Sequence, residues 1–373
     1  MNPYSRQLID EDDIKAVTEA LRGSHLTQGK THIEFEKEIV NFTNSKYALT
    51  FNSATSALHA AYHAIGIKDD DEIITTPISF VATSNMAIAL GAKAIFCDVK
   101  LDGNIDERFI ERLITPKTKA IVPVHFAGTI CNMDKILDIA KKHNLKVIED
   151  AAHALGSTKE GKHAGTFGDI GVFSFHAIKP ITTGEGGAIV TNNRDYYEKM
   201  KFFRSHGMTK KKLYNSDMSE LGYNYRLSDI NAALGRSQLK KLPSFIKRRE
   251  EIASYYNNRF KKSKYFYTID VNHTSSRHLY PILLKAEFQC PKEDVYSKLI
   301  ERGVGIQVHY KPIYKNSFYV KLYGEQRLSV SEDFWRSELS IPCHQAMSLE
   351  DARETADILE EVLEKYSYKS CSS

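Results

Sequence analysis

The stretch VFSFHAIKPITTGEGGAIVTN, residues 172–192, places a single lysine between two apolar runs. The first run ends at Phe175, Lys179 and Pro180 follow, and a second apolar run begins after the glycines of GEGG. Both runs are short, continuous and bounded by turn residues, which is typical of strands buried on both faces. Lysine side chains are mostly exposed in folded proteins. A lysine in a tight loop between two buried strands therefore suggests a chemical role.

The same alternation extends towards the N-terminus. From residue 47 onward, short apolar segments alternate with segments of helical periodicity. The pairs are YALTF with SATSALHAAYHAI, EIITT with FVATSNMAIAL, KAIFCDV with DERFIERLI, and KAIVPV with MDKILDIAKKH, before a further strand in LKVIED. This order predicts an α/β fold in which helices cover both faces of a mostly parallel sheet.

The pattern changes after residue 225. LSDINAALGRSQLKKL and PSFIKRREEIASYYNNRF predict two consecutive helices, with Pro243 at the start of the second. Residues 277–366 then mix predicted strands, RHLYPILL and VGIQVHY, with predicted helices, KEDVYSKLIERG and LEDARETADILEEVLEKY. We therefore predict a large α/β domain over residues 1–240 and a smaller C-terminal α+β domain over residues 241–373.

Composition argues against several classes of function. The 51 basic and 47 acidic residues give a net charge of +4, which is not the basic surface of a nucleic-acid-binding protein. No apolar run approaches the about 18 residues of a membrane-spanning helix, and the N-terminus lacks a signal pattern. Five irregularly spaced cysteines fit a reducing cytoplasm better than a disulfide framework. No sequence motif indicates a metal site.

Polar residues follow the predicted strands at the sheet edge where α/β proteins bind ligands. Asp150 ends LKVIED and His153 lies just beyond it, although an aspartate there also fits a helix cap. Ser53 and Thr55 open a helix after YALTF, beside free backbone N–H groups that suit a phosphate. A plain serine cap is the alternative.

The next strand ends carry an aromatic residue and a hydroxyl. Phe80 in PISFVAT fits either the core or a stack on a planar ligand, and Ser174 precedes Lys179. The strand YALTF is not followed by G-x-G-x-x-G, and GKT at 29–31 has Ser24 where a phosphate loop needs glycine. These absences argue against a dinucleotide enzyme and a nucleoside-triphosphate loop.

Taken together, these residue types match the demands of one cofactor. A buried lysine with a lowered pKa can form a Schiff base, and a carboxylate can keep a pyridine nitrogen protonated. A helix start can hold a phosphate, and an aromatic ring can stack on a planar ring. These are the requirements of pyridoxal 5'-phosphate.

The chain resembles the DegT/DnrJ/EryC1/StrS family of sugar aminotransferases, which use pyridoxal phosphate and have the aspartate aminotransferase (type I) fold. The resemblance rests on LTQGK, FNSATSALHAA, ITTPISFVAT, EDAAHALG, FSFHAIKPITTGEGGAIVTN, RSHGM and GYNYRLSDINAALGRSQL. Family members often have proline after the histidine of FSFH, where this chain has Ala177.

The resemblance implies a set of cofactor contacts. Lys179 would form the Schiff base and act as the catalytic residue, and Asp150 would partner the pyridine nitrogen. The other contacts would be stacking by Phe80, a hydroxyl contact from His153, and phosphate contacts from Ala54, Thr55, Ser174 and, from a neighbouring subunit, Asn224. This last contact implies a homodimer with shared sites.

Within the family, FSFHAIKPITT together with VHYKPIY at 308–314 is most similar to the aminotransferases of pseudaminic acid synthesis. These enzymes act on a UDP-linked 4-keto-6-deoxy-N-acetylhexosamine and take the amino group from L-glutamate. The implied nucleotide-sugar site consists of Tyr4, Ser24, His25, Leu26, Thr27, His309, Tyr310, Lys311 and Pro312. From the residues alone, Lys311 also fits a solvated surface lysine, and Arg226 is a candidate for binding the glutamate carboxylate.

Other functions remain open at this point. The substrate could be a different nucleotide-linked ketosugar, because the residues alone do not identify the carrier nucleotide or the sugar stereochemistry. Related sugar dehydratases have a histidine in place of the lysine, and a non-catalytic relative would lack Lys179 or Asp150. The presence of both residues argues against these two alternatives.

Overall fold

The computed structural model of the protein describes residues 2–212, 214–271, 273–286 and 291–369. Its α-helices are α1 (Glu11–Arg22), α2 (Lys30–Thr43), α3 (Ala54–Ala64), α4 (Ala82–Ile88), α5 (Met133–Lys142), α6 (Arg194–Phe203), α7 (Asp229–Phe260), α8 (Lys292–Glu301), α9 (Ser317–Tyr323), α10 (Ser329–Ser337) and α11 (Leu349–Lys369). Its strands are β1 (Tyr47–Phe51), β2 (Glu72–Thr75), β3 (Lys93–Phe96), β4 (Thr118–Val122), β5 (Lys146–Asp150), β6 (Thr158–Lys159), β7 (Lys162–His163), β8 (Ile170–Ser174), β9 (Gly187–Thr191), β10 (Met208–Lys212), β11 (Asn215–Met218), β12 (Phe266–Thr268), β13 (Tyr280–Leu284) and β14 (Glu338–Ile341).

Within the described residues, seven strands form a central sheet in the order β1-β9-β8-β5-β4-β2-β3. Strand β9 runs antiparallel to both of its neighbours, and the other neighbouring pairs are parallel. This arrangement confirms the predicted α/β fold with a mostly parallel sheet. Because the parallel strands run in one direction, their carboxyl ends all lie at the same edge of the sheet.

Both faces of the sheet are buried, as the continuous apolar runs predicted. Ile121 of β4 and Val147 of β5 belong to one hydrophobic cluster, which packs against helices that include α2 and α5. The next residue of each strand, Val122 and Ile148, belongs to a second cluster that includes α3. Successive side chains of a strand point to opposite faces, so one strand contributes to both cores.

The segment DERFIERLI does not form the predicted α-helix. It forms two short 3-10 turns, Glu107–Phe109 and Glu111–Leu113. The side chain of Asp106 accepts a hydrogen bond from the Arg108 backbone N–H at 3.1 Å and pairs with the Arg108 guanidinium at 2.6 Å. These local bonds favour a tight turn over a regular helix.

The prediction of two helices separated at Pro243 is wrong. Helix α7 runs without a break from Asp229 to Phe260 and contains Pro243 in its interior. A proline there removes one backbone hydrogen bond and costs about 3 kcal/mol. Packing offsets this cost because Leu242 and Phe245, on either side of the proline, are both buried in the first cluster.

The predicted strand VGIQVHY is also wrong as a continuous strand. Val304 forms an isolated bridge with Asn2, whereas Gln307 forms one with Ser340 of β14. The Gly305 N–H donates to the Asn2 carbonyl at 2.8 Å. Because the segment changes partner within a few residues, its backbone bonds do not form one ladder.

The C-terminal elements surround a third cluster beside the antiparallel sheet β12-β13-β14. Helix α7 contributes Ile252 and Tyr256 to this cluster, whereas its first half packs on α1 and α2. We keep the division predicted from the sequence as a proposal, with residues 1–240 and 241–373 forming two domains. Helix α7 would then cross their boundary.

None of the helices in the described ranges combines the length and apolar character needed to cross a membrane. The described residues also contain no group of three or more histidines, cysteines or acids that could hold a metal ion. Cys97, Cys131 and Cys343 are buried free thiols, and Cys290 and Cys371 lie outside the described residues.

Candidate active site

Four predicted cofactor contacts lie after strands that end at one edge of the central sheet. Asp150 ends β5 and Ser174 ends β8, while Ala54 begins α3 after β1 and Phe80 follows β2. Strands β1, β2, β5 and β8 run in the same direction, since β1 and β8 are both antiparallel to β9. The fold thus places these residues where α/β proteins bind ligands.

Lys179 lies in the turn after β8 and is half-buried. Its backbone N–H donates to the His176 carbonyl at 2.9 Å, and its Nζ lies 3.3 Å from Nε2 of His278. Burial lowers the pKa of Lys179 to about 8, against the opposing effect of the Asp150 charge. At pH 7 roughly a tenth of this amine is therefore unprotonated and able to react as a nucleophile or base.

Asp150 is buried and held by two hydrogen bonds. Its Oδ2 accepts from the Thr83 hydroxyl at 2.6 Å, and its Oδ1 accepts from the Ala152 N–H at 3.1 Å. Burial raises the pKa of Asp150, and these hydrogen bonds together with the Lys179 charge oppose that rise. Residues 151–157 form turns, so the alternative of a helix cap is wrong.

The start of α3 has free donors for an anion. The Ser53 hydroxyl caps the helix by accepting from the Ser56 N–H at 3.1 Å, so the capping alternative is correct for Ser53. The N–H groups of Ala54 and Thr55 lie in the first turn, where helices have no internal acceptors. Arg226 Nε, on a segment that bridges to Phe51, is buried and has no hydrogen-bond partner in the part of the chain that the structure describes. These donors fit a phosphate.

Gly187 of β9 brings the sheet close to this helix start. A Cβ atom at Gly187 would lie 2.6 Å from the Ala54 nitrogen and 2.7 Å from the Ser53 carbonyl carbon. Real Cβ atoms do not approach so closely. Only glycine therefore lets β9 pack directly against the first turn of α3.

Two predicted contacts point away from the chain's own core. Phe80 is 62% exposed, so the alternative that it belongs to the core is wrong, and its stacking role stays a prediction. Asn224 is also exposed, and its backbone carbonyl accepts a hydrogen bond from Asn52 Nδ2 at 3.3 Å. Its predicted contact across a subunit interface stays a prediction.

His153 belongs to a group of side chains around His278, the residue that contacts the Lys179 amine. Its Nδ1 accepts from the Ala127 N–H at 3.3 Å, and burial lowers its pKa well below the usual value. The neutral ring therefore carries its hydrogen on Nε2, which lies 3.2 Å from the Tyr310 hydroxyl and donates to it. His153 also lies next to His278, with ring centroids 4.5 Å apart.

Sequence reasoning missed His278 and Thr83. His278 precedes β13, and we interpreted RHLYPILL only as a strand. The backbone around His278 is fixed by Arg249, a fully buried residue of α7 whose Nη1 donates to the carbonyls of Arg277 at 3.0 Å and His278 at 3.2 Å. The one signal in the sequence was a histidine at the entry of a buried strand, and it gave no indication that Lys179 was near.

The segment His309–Pro312 also reaches the site. The His309 ring lies 5.6 Å from the Tyr4 ring and 4.8 Å from the Tyr310 ring, and the His309–Tyr310 peptide bond is cis. Pro312 is buried, and the next N–H, that of Ile313, donates to the Pro77 carbonyl at 3.0 Å. Lys311 is exposed. Tyr4, His309 and Tyr310 thus join the same group of side chains as His153.

Residues 24–27 contact a different part of the chain. All four are exposed, the Ser24 hydroxyl lies 2.9 Å from His25 Nδ1, and the Leu26 carbonyl accepts from the Asp229 N–H at 2.9 Å. Ser24 and His25 line a cavity of about 1130 Å³ between α1, α2 and α7. The predicted substrate contacts of Ser24, His25, Leu26 and Thr27 stay predictions.

Known proteins share this architecture. A sequence model of the DegT/DnrJ/EryC1/StrS aminotransferase family matches residues 7–360. The chain is 52% identical over 376 residues to the UDP-4-amino-4,6-dideoxy-N-acetyl-beta-L-altrosamine transaminase of Campylobacter jejuni subsp. jejuni serotype O:23/36 (strain 81-176), with 100% of both chains covered.

Solved structures of aminotransferases are also similar to this protein. Helicobacter pylori PseC, an aminotransferase involved in the biosynthesis of pseudoaminic acid, is 46% identical with a TM-score of 0.95, over 97% of this chain and 99% of that one. The putative sugar aminotransferase Spr1654 from Streptococcus pneumoniae, in its PLP form, is 28% identical with a TM-score of 0.92, over 98% and 99% of the two chains. The protein therefore belongs to the DegT/DnrJ/EryC1/StrS aminotransferase family.

Proposed function

We propose that the protein uses pyridoxal phosphate to transfer the amino group of L-glutamate to C4 of a UDP-linked 4-keto-6-deoxy-N-acetylhexosamine, a step of pseudaminic acid biosynthesis. The observation that carries this proposal is the Lys179 amine, whose pKa burial lowers to about 8, at the sheet edge that also holds Asp150. The names of the Campylobacter and Helicobacter relatives support the substrate and the pathway.

The residues present fit the cofactor. The free N–H groups of Ala54 and Thr55, with Ser174, would hold its phosphate, and Phe80 would cover its ring. Asp150 would bind the ring nitrogen, and His153 would lie beside the ring hydroxyl. When bound, pyridoxal phosphate supplies an electron sink for cleaving a bond at the α-carbon of an amino acid.

The chain's own groups then bind substrate and move protons. The Lys179 amine accepts a proton from the α-carbon of L-glutamate and later returns one at C4 of the sugar. Its pKa of about 8 suits both directions, since a catalytic base and acid works best with a pKa near the working pH. The Thr83 hydroxyl holds the Asp150 carboxylate, which would place its charge beside the ring nitrogen of the bound cofactor.

Two further parts of the proposal concern assembly and location. We propose a homodimer in which the exposed Asn224 reaches the cofactor phosphate of the partner subunit, with Arg226 a candidate for the glutamate carboxylate. Lys311, also exposed, would offset diphosphate charge. The buried free thiols Cys97, Cys131 and Cys343 support a reducing, cytoplasmic location.

The test is amination of purified nucleotide-linked 4-ketosugars with L-glutamate as donor. We expect a UDP-linked amino sugar and an equal amount of 2-oxoglutarate, both measured by mass spectrometry. Lys179→Arg should abolish both products, whereas Lys162→Arg, in the β6–β7 hairpin, should not. Faster turnover of dTDP- or GDP-linked ketosugars would instead favour a different substrate. Failure with every ketosugar would contradict the proposal.

A further inference from the structure

Strand β14 carries two fully buried polar side chains beside the proposed sugar site. Its sequence is ELSI, and Glu338 and Ser340 are both 0% exposed. Residues two apart in a strand point to the same face. That face meets His309, whose side chain is also buried. Buried polar groups of this kind are normally hydrogen-bonded, so their partners reveal what they hold in place.

The three side chains form a closed set of hydrogen bonds. Glu338 Oε2 accepts from the His309 backbone N–H at 2.6 Å. Glu338 Oε1 lies 2.6 Å from the Ser340 hydroxyl, which lies 2.8 Å from His309 Nδ1. The opposite ring nitrogen, Nε2, has no hydrogen-bond partner among the described residues. The His309 residue as a whole is 4% exposed.

The hydrogens in this set can be ordered in two ways, because a hydroxyl donates only one hydrogen. When Glu338 is ionised, the Ser340 hydroxyl donates to it and accepts from Nδ1–H of His309, which leaves a lone pair on Nε2. When Glu338 is protonated, its O–H donates to Ser340, which donates to a bare Nδ1. The ring hydrogen of His309 then lies on Nε2.

We propose that Glu338, acting through Ser340, determines which ring nitrogen of His309 carries the hydrogen. Nε2 of His309 thereby presents a hydrogen-bond acceptor when Glu338 is ionised and a donor when it is protonated. Glu338 and Ser340 are positioning residues, because they act on the substrate only through His309. The consequence for substrate rests on the proposed function, in which the His309 segment lines the sugar site.

The charges around Glu338 allow both its ionised and its protonated form near neutral pH. Burial raises the pKa of Glu338 to about 8, and the bonds from Ser340 and His309 and the charge of Lys292 oppose that rise. Lys292, at the start of α8, donates from Nζ to the Glu338 carbonyl at 3.1 Å. Tyr310, Tyr4, His153 and His278 also lie around this set, together with Lys179, whose charge acts on His309.

His309 itself does not titrate in this range. Burial lowers its pKa to about 3, so the ring stays neutral while Glu338 changes state. A neutral imidazole has one donor and one acceptor nitrogen, and a partner on one nitrogen fixes the role of the other. A sugar hydroxyl can bond to either form, whereas a carbonyl or phosphoryl oxygen can bond only to the donor form.

The test is nitrogen-15 NMR of the full-length protein labelled at histidine, which distinguishes protonated from bare imidazole nitrogens. His309→Gln identifies the His309 signals by their loss. We expect Nε2 of wild-type His309 to carry hydrogen at about pH 6 and to be bare at about pH 10, on either side of the Glu338 pKa. Glu338→Gln should show hydrogen on Nε2 at both values. The amide oxygen accepts from the His309 backbone N–H, which leaves the NH2 group to donate to Ser340.

Two further variants separate this arrangement from a general structural effect. Ser340→Ala removes the connecting hydroxyl, so the His309 tautomer should no longer depend on pH. Glu332→Gln, which alters another buried glutamate that pairs with Lys315 and Arg336, should behave like wild type. A wild-type tautomer that is the same at both pH values and in Glu338→Gln would overturn the inference. A pH change that persists in Glu338→Gln would also overturn it.

This measurement needs neither cofactor nor substrate, so its result is independent of the proposed function. If the function also holds, Glu338→Gln should change KM for the ketosugar by about three- to tenfold at the higher pH, the effect of one altered hydrogen bond. Its kcat should change less. If the tautomer changes but KM does not, Glu338 still controls the His309 tautomer. Nε2 of His309 is then excluded as a sugar contact.

Discussion

The amine nitrogen of Lys179 lies 3.3 Å from Nε2 of His278, a histidine from the far C-terminal side of α7. Burial lowers the pKa of His278, and also those of His153 and His309. All three rings are therefore neutral near pH 7, and the electrostatics of the site depend mainly on Lys179 and Asp150.

Lys179 should destabilise the cofactor-free protein at neutral pH. Its pKa falls from 10.5 in the unfolded chain to about 8 in the folded one, which corresponds to about 3 kcal/mol. The folded state binds this proton more weakly, so the penalty is complete below pH 8 and disappears as pH rises through 10.5. We expect Lys179→Met to raise the free energy of unfolding at pH 7 by up to this amount, measured by urea denaturation.

The control for this prediction is Lys37→Met, at an exposed position of α2. It should change the free energy of unfolding little, both at pH 7 and at about pH 10. The difference between wild type and Lys179→Met should shrink from pH 7 to about pH 10. A difference that stays constant with pH would show that the substitution acts through packing, and that the amine is not held in an unfavourable environment.

Asp150→Asn should reduce amination about 10²- to 10³-fold, the usual effect of removing one preorganised electrostatic contact. The amide can form both bonds if its oxygen accepts from the Ala152 N–H and its NH2 group donates to the Thr83 hydroxyl, so the fold should be retained. The Asp150 charge raises the pKa of Lys179, and its removal should lower that pKa further. The measurement is the pH dependence of Lys179 modification by an amine reagent in the cofactor-free protein, followed by peptide mass spectrometry.

Thr83→Val serves as the matched variant, because it removes the hydrogen bond to Asp150 but keeps the charge. It should reduce amination by no more than about tenfold, the effect of one neutral hydrogen bond. The pKa of Lys179 should stay close to the wild-type value. Equal losses in the two variants would contradict a role for the Asp150 charge itself.

The sequence predicted the mostly parallel α/β sheet well because the signals for its strands are local. Continuous apolar runs identify strands buried on both faces, and the residue that ends such a strand lies at the ligand-binding edge wherever the strands are parallel. Asp150 and Lys179 could therefore be located from their neighbours in sequence. Pro243 misled the prediction because the tertiary packing of neighbouring residues decides whether a helix can continue through a proline.

The rest of the site depends on contacts between distant segments. Thr83 is 67 residues from Asp150, and His278 is 99 residues from Lys179. Nothing in the sequence around either residue indicates its partner. The segment around His309 was misjudged as a strand for the same reason, because its backbone bonds run to the N-terminus and to β14.

Gly187→Ala should weaken cofactor binding more than it weakens the fold. The new methyl group would lie 2.6 Å from the Ala54 nitrogen and would displace the first turn of α3, whose N–H groups are the proposed phosphate donors. We expect destabilisation of about 1–3 kcal/mol and at least a tenfold higher Kd for pyridoxal phosphate, measured by fluorescence titration.

Gly161→Ala is the control for this steric argument. Gly161 has a positive φ of 77° and open space around it at the tip of the β6–β7 hairpin, so alanine there strains the backbone without displacing α3. It should lose stability but bind pyridoxal phosphate as wild type does. A Gly187→Ala protein with unchanged cofactor affinity would argue against the α3 start as the phosphate site.

The shared-site homodimer predicts complementation between inactive variants. Lys179→Ala and Asn224→Asp should each be inactive as homodimers, the second because a carboxylate would repel the phosphate. If Asn224 serves the partner's site, the mixed dimer contains one intact site. After subunit exchange verified by native mass spectrometry, the mixture should recover up to about a quarter of wild-type activity. No recovery would place Asn224 in its own subunit's site.

The most direct test of the whole account is the visible absorption spectrum of the purified protein loaded with pyridoxal phosphate, before and after addition of L-glutamate. We predict a visible band that is absent in Lys179→Ala and that is lost when L-glutamate is added to wild type, as 2-oxoglutarate forms. A wild-type protein that stays colourless after incubation with pyridoxal phosphate would contradict the assignment of Lys179. A band that L-glutamate leaves unchanged would contradict the proposed amino donor.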